Sequence, residues 1–201
     1  MRTVAILLFN EIEVLDFAGP FEVFGVAGQP GEPKPFHVFT VAERGPVYAR
    51  NGLILSPAYL LNDHPKADIM IVPGGGGQHA DGTPYGSRRE MDNPAVLNWV
   101  RRTGASAELI LSVCTGSFIL GKAGLLDGLA ATTHFMAVEG MKQAAPKTEL
   151  RPTERYVDNG KVITSAGISA GIDMSLYVVG RLLGKDVANE TARYMQYDYW
   201  Q

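Results

Sequence analysis

An apolar, β-prone run over residues 107–113 stops at Cys114-Thr115-Gly116-Ser117, and residues 118–124 then carry apolar side chains at helical spacing. A strand that turns straight into a helix puts the residue at the turn on the carboxyl edge of a parallel sheet. It also sets that residue beside the free N–H groups of the first helical turn. Residues 3–9 and 68–72 are further continuous apolar runs of strand length, the pattern of a parallel strand covered on both faces. Residues 36–42 read as another strand. Helical spacing over 94–102, with Asn93 as cap and Pro94 at the first position, predicts a helix there. Helices are also predicted over 136–144, 169–183 and 188–197, and a turn followed by a helix near Pro20. Residues 47–48 and 53–55 read as a small hairpin. Residues 155–158 and 161–165 read as a second one around Asn159-Gly160, which suits a type I′ turn. Strands alternating with helices specify an α/β fold with a mostly parallel sheet, expected as a single domain over 1–201. In such sheets a site is expected outside the carboxyl ends of the strands, where the loop after the first strand, the loop after residue 72 and the cysteine turn converge.

With 201 residues, 46% of them hydrophobic and 19% charged, the chain is long enough to cover a sizeable core. A net charge of −3 supplies no basic surface for nucleic acid. One cysteine excludes an internal disulfide and fits a reducing cytoplasm. The first nine residues have the apolar character of a signal peptide. However, Asn10, Glu11, Glu13 and Asp16 follow at once without a small-residue cleavage pattern, so a buried first strand is expected. No apolar stretch reaches the ~20 residues that span a bilayer, and no membrane partner is expected.

A thiol at a helix N-terminus is pushed toward thiolate, the nucleophilic form, and this reading of Cys114 is preferred to that of a small buried hydrophobe. The four glycines 74–77 after a strand let the backbone approach a ligand closely. They lack the Lys-Ser/Thr of a phosphate loop and the spacing of a dinucleotide fingerprint. The N–H groups of Gly75 and Thr115 are instead expected to face negative charge on an intermediate at Cys114. Asp16 lies among Val14, Leu15 and Phe17 and is expected as a buried acid beside the thiol. Ionised, it would raise the thiol pKa; protonated, it would donate a hydrogen bond and lower it; the pair titrates as a unit. His134 follows the cysteine helix, and either touches the sulfur or lines the pocket. His37 falls in a strand, and His64 and His79 fall in loops with solvent-facing roles. One cysteine and scattered histidines show no metal-ligand spacing, so neither a metal nor a cofactor is expected.

The segments Asp16-Phe-Ala-Gly-Pro20, Val72-Pro-Gly-Gly75, Ser112-Val-Cys-Thr-Gly-Ser117, Ala123-Gly-Leu-Leu-Asp-Gly128, Ala131-Thr-Thr-His134 and Gly167-Ile-Ser-Ala-Gly-Ile-Asp173 together resemble the ThiJ/PfpI superfamily over nearly the whole chain. The resemblance implies a flavodoxin-like three-layer sandwich with a cysteine nucleophile elbow. Within the superfamily the set looks closest to isonitrile hydratases, and it is also similar to the ligand domains of AraC-type regulators. It implies a cofactor-free lyase that hydrates a small-molecule isocyanide, with Cys114, Asp16, Thr115 and Gly75 at the reaction. Gly74, Gly76, His134, Ile168 and Ser169 would border the substrate. It also implies a homodimer. Thr115 stands where protease-like members carry His, Asp16 where glyoxalase-like members carry Glu, and Ser112 where many nucleophile turns carry Gly. The His-Pro-Glu pair of the amidotransferases is absent, and no helix-turn-helix region follows before Gln201. A non-catalytic ligand-binding domain and a glyoxalase-like enzyme are the alternatives. The aromatic tail of Tyr194, Tyr197, Tyr199 and Trp200 calls for cover, from the domain or from a second subunit.

Overall fold

The computed structural model describes residues 1–28 and 33–198. Its central sheet has seven strands: β1 (Arg2–Leu8), β2 (Phe36–Ala42), β3 (Tyr59–Leu60), β4 (Ile69–Val72), β5 (Leu109–Val113), β6 (Tyr156–Asp158) and β7 (Val162–Ser165). Their spatial order is β6-β7-β5-β4-β1-β2-β3. Every pairing is parallel except that of the β6–β7 hairpin. The strands that read as unbroken apolar runs, β1, β4 and β5, are the central ones and are buried almost throughout. Truncating a fully covered side chain here, such as Ile71 or Leu111, would cost about 2–5 kcal/mol.

The helices are α1 (Val14–Val26), α2 (Pro94–Ser106), α3 (Gly116–Lys122), α4 (Ala170–Leu183) and α5 (Lys185–Tyr194). They pack as two groups flanking the sheet: α1 with α4 and α5, and α3 with α2 and the short helix Val138–Ala144. This is the flavodoxin-like α/β arrangement the motifs imply. Among the described residues, no helix is long and apolar enough to cross a membrane, and no group of three or more His, Cys, Asp or Glu side chains is placed to hold a metal ion.

Four local expectations need correction. The first concerns the helix near Pro20. It begins six residues earlier, at Val14, and runs through the proline. Pro20 cannot donate to the Asp16 carbonyl, but the buried stripe of Asp16, Phe17, Pro20, Val23 and Phe24 keeps helical spacing against the core, and this packing outweighs the lost hydrogen bond. Asp16 therefore sits in the first turn of a helix, not in a loop. The second concerns the hairpin turn. Asn159 N–H donates to the Val162 carbonyl at 2.9 Å, so Gly160 and Lys161 form the tip, and only Gly160 takes a positive φ, +85°. Asn159 is recruited elsewhere: its amide exchanges hydrogen bonds with the backbone of Ala130.

The third is His64, which is half-buried and structural. Its Nε2 accepts the Nε1–H of fully buried Trp99 at 2.9 Å, because a buried indole requires an acceptor. His37 and His79 are exposed. The last helix, finally, starts at Lys185 rather than 188 and ends at Tyr194. Within the aromatic tail, the Tyr197 hydroxyl donates to Asp173 Oδ1 at 2.9 Å while Tyr194 is exposed. Tyr199 and Trp200 lie outside the described residues.

Candidate active site

Going from β1 the chain first places β2 on one side, then crosses back to place β4 on the other. Ligand sites of open α/β sheets form at such a switch point, beyond the carboxyl ends of the strands. Three segments leave those ends side by side: residues 9–13 leading into α1, the glycine loop after β4, and the turn between β5 and α3.

Cys114 occupies that turn at φ +55°, a conformation few non-glycine residues adopt and one that persists only where the surroundings hold it. Here they do. Its N–H points between the carbonyls of Ser165 and Ala166, at 3.2 and 3.1 Å. Its own carbonyl accepts from the hydroxyls of Ser117 and Thr133, both at 3.1 Å. Gly116 is required beside it, since a Cβ there would lie 1.9 Å from the Val72 carbonyl oxygen. The turn can thus press directly against the end of β4.

Asp16 is fully buried. Its Oδ2 accepts the Gly74 N–H at 3.0 Å, while Oδ1 is buried without a well-formed hydrogen bond. The carboxyl faces Cys114 closely enough for the thiol to act on it as a hydrogen-bond donor. Burial lifts the Asp16 pKa to about 7, against the pull of the Gly74 N–H. Burial and the neighbouring Asp16 charge push the Cys114 thiol up to about 12. The sequence predicts a thiol driven toward thiolate by the helix end. The structure reverses that direction, because Cys114 is only 5% exposed and desolvation outweighs a helix of two turns.

The groups that favour the ionised sulfur are the N–H of Thr115, the N–H of Ile168 and the Thr115 hydroxyl. Thr115 Oγ1 accepts the Gly75 N–H at 3.0 Å and lies 2.8 Å from Ser87 Oγ. With Gly75 and Ser87 as donors, the single Thr115 proton is left for the sulfur. The expectation that Gly75 N–H faces an intermediate is therefore not met, since that donor is taken up by Thr115. Gly74 likewise holds the acid rather than a ligand, and Gly76 is engaged in a two-stranded hairpin with Gly86.

The other expected residues lie on the far wall. Ile168 also has a positive φ, +52°, which turns its N–H toward Cys114. Ser169 precedes α4, and its hydroxyl accepts from Arg155 Nη2 at 3.2 Å. His134 packs against Gly167, next to Ile168, and its Nδ1 accepts the Met136 N–H at 3.3 Å. Partial burial lowers its pKa, so the ring is neutral with the proton on Nε2. The structure thus places His134 beside Gly167, in the segment that carries Ile168.

Sequence reasoning passes over Ser87 and Arg88. Arg88 lies in the short helix Ser87–Glu90, with its guanidinium carbon 3.5 Å from the centroid of the Phe118 ring. The signal that points to this segment is spatial: the hairpin that follows the glycine loop folds Ser87 back onto Thr115.

The model of the DJ-1/PfpI family matches residues 2–181. The chain belongs to the DJ-1/PfpI family. It is 34% identical over 196 residues to the isonitrile hydratase of Pseudomonas putida, a match covering 96% of this chain and 78% of that protein. It is 30% identical over 183 residues to the transcriptional regulator CdhR of Pseudomonas aeruginosa, covering 90% of this chain and 51% of the regulator. The chain thus spans about half the length of that regulator. A ThiJ/PfpI family protein of Pseudomonas syringae superposes with a TM-score of 0.84 at 28% identity, covering 100% of this chain and 76% of that one. The chain is thus similar both to an enzyme and to a transcriptional regulator.

Proposed function

We propose that this DJ-1/PfpI protein is a cofactor-free hydro-lyase that converts an isocyanide to an N-substituted formamide. The supporting observation is the buried Asp16–Cys114 pair, whose first ionisation lies near neutrality so that the two groups hold one proton between them. With that proton on Asp16, the sulfur is a thiolate held by the Thr115 and Ile168 N–H groups and the Thr115 hydroxyl.

The sulfur bonds to the terminal isocyanide carbon, and the carbon lone pair takes the Asp16 proton, giving a thioimidate. The Asp16 carboxylate then removes a proton from water as its oxygen adds to that carbon. The same proton passes to nitrogen. Finally Asp16 takes the proton of the new hydroxyl, the carbonyl forms, and the C–S bond breaks. Thiolate and protonated Asp16 are regenerated, and one water has been consumed. Asp16 serves as acid and base in turn, which suits a carboxyl with a pKa near 7. Purified protein mixed with an alkyl or aryl isocyanide should yield the formamide by NMR, and Cys114→Ala should yield none. Absence of turnover across several isocyanides removes this reading.

One observation favours a second reading, a ligand-binding domain without turnover. The thiol is 5% exposed and held up at about 12, the state of a slow nucleophile, and the regulator relative is matched over about half its length. Tight binding of a small molecule that survives Cys114→Ala, with no chemistry, would support it. A cytoplasmic homodimer belongs to the proposal as well. Leu15 and Phe21 on α1 are partly exposed, as a covered face would require, and sedimentation would give the mass of the assembly.

A further inference from the structure

Two adjacent arginines follow Ser87, and they differ in one respect. Arg89 is neutralised: it pairs with Glu11 at 2.8 Å and with Glu90 at 2.9 Å. Arg88 has no acidic partner among the described residues. Its Nη1 is buried without a hydrogen bond, and its guanidinium carbon lies 3.5 Å over the ring of Phe118, the fourth residue after Cys114. Arg88 is half-buried, and since an arginine cannot shed its charge in a protein, it stands as a cation with no compensating acid. Nothing about its position is loose. Ser87 N–H donates to the Gly75 carbonyl at 2.9 Å, and Ser87 Oγ contacts Thr115 Oγ1, so the residue before Arg88 is tied to both the glycine loop and the cysteine turn. Burial lowers its pKa, and it acts electrostatically on Cys114 and on His134, which places its charge at the site. The thiol itself is governed chiefly by burial, Asp16, Thr115 and Ile168. Arg88 is therefore not the group that sets the sulfur.

We propose that Arg88 is the specificity residue of the site, receiving a carboxylate on the substrate while the reacting carbon meets Cys114. A guanidinium held over an aromatic ring can still offer N–H groups for two parallel hydrogen bonds to a carboxylate. A single fixed arginine suits one carboxylate better than a phosphate, which gathers several donors. The substrate class is then a short isocyanide bearing a carboxylate. This rests on the reading above only in that a small molecule meets the thiol at this site.

Charge preference can be measured without turnover. Cys114 is alkylated in parallel with iodoacetate and iodoacetamide, which differ only in the carboxylate, and the ratio of rates is normalised to that of free N-acetylcysteine. The expected ratio exceeds the free-thiol value by tenfold or more, falls to it in Arg88→Met, and is partly kept in Arg88→Lys. A second measurement uses Cys114→Ala protein. N-formylglycine should raise its melting temperature, N-formylglycinamide should not, and Arg88→Met in the same background should remove the shift. A normalised ratio near one in the wild type, a ratio unchanged by Arg88→Met, or equal shifts with the two formamides overturns the inference. A protein that hydrates no isocyanide yet favours iodoacetate keeps it and loses only the hydratase reading.

Discussion

The Asp16 carboxyl lies against the Cys114 thiol in a buried site: the Asp16 charge makes ionising the thiol costlier, whereas the thiol's hydrogen bond favours the charged carboxylate that burial opposes. Two acids that share a dry site ionise in sequence, so the step near pH 7 belongs to the pair and the second lies far into alkali. The pair can hold a single proton at neutral pH with the sulfur as the charged partner only if other groups favour thiolate. Thr115 and Ile168 are the groups that do so.

Stability should fall as pH rises through the acid range because of Asp16. Its pKa is 3.8 in an unconstrained chain and about 7 when folded. The folded protein therefore holds a proton the unfolded chain has lost. The Asp16 contribution is fully present below pH ~4 and is lost between about 4 and 7. A difference of this size sets an upper limit of roughly 4 kcal/mol. Asp16→Asn cannot ionise, and its amide oxygen can still accept from Gly74. Urea denaturation of both proteins at pH 4 and pH 8 should show the variant gaining a few kcal/mol relative to the wild type. A difference that is flat with pH would mean that Asp16 titrates normally.

The same substitution should separate reactivity from catalysis. Removing the Asp16 charge takes away one of the two causes that lift the thiol, so Cys114 should titrate lower and react faster with iodoacetamide at pH 8 in Asp16→Asn. Formamide production should nonetheless disappear, because no group remains to move the proton. The alkylation rate against pH is the measurement. A slower thiol in the variant would show instead that the shared proton rests on Asp16 with the sulfur as the charged partner, and that the Asp16 charge is not what holds the thiol up.

The alternation of elements was legible because it depends on runs of side chains, and β1, β4, β5 and α4 fall close to where the pattern puts them. Cys114 at a strand-to-helix turn and Asp16 beside it follow from the same register. Less legible was anything decided by burial in three dimensions. The helix N-terminus argues for a thiolate, and only the covered site reverses that. Gly75 looks like a free donor in the sequence, yet its N–H is consumed by a hydroxyl 40 residues away. Arg88 carries no local signal, since Arg88 and Arg89 look alike until Glu11, from the loop after β1, neutralises one of them.

Thr115 should matter more through its hydroxyl than through its methyl group. Oγ1 is the meeting point of Gly75 N–H and Ser87 Oγ, and all three are buried. Thr115→Val leaves those donors without an acceptor, at a cost of about 1–3 kcal/mol, whereas Thr115→Ser retains the oxygen. It also removes one hydrogen bond to the ionised sulfur, so the thiol should titrate still higher and alkylate more slowly at a given pH. Denaturant midpoints and alkylation rates for the two variants test this. If valine and serine behave alike, the hydroxyl has no such role.

Arg155 should stabilise the wall of the site from outside it. Its Nε donates to Asp173 Oδ2 and its Nη2 to Ser169 Oγ, and the Tyr197 hydroxyl completes the carboxylate at Oδ1. Asp173 is 3% exposed, so it is a buried acid that depends on these partners, while Arg155 itself is half-exposed and only partly shielded from solvent. Arg155→Met strips the carboxylate of its cation and frees Ser169, the residue next to Ile168, whose N–H faces the sulfur. We expect a loss of about 1–3 kcal/mol, since solvent screens the arginine side of the pair. We also expect faster hydrogen exchange at Ile168 than in the wild type. Asp173→Asn with Arg155→Met should recover part of the stability, because no buried charge is then left unpaired. If the double variant is no better than Arg155→Met alone, the arginine acts through packing and not through Asp173.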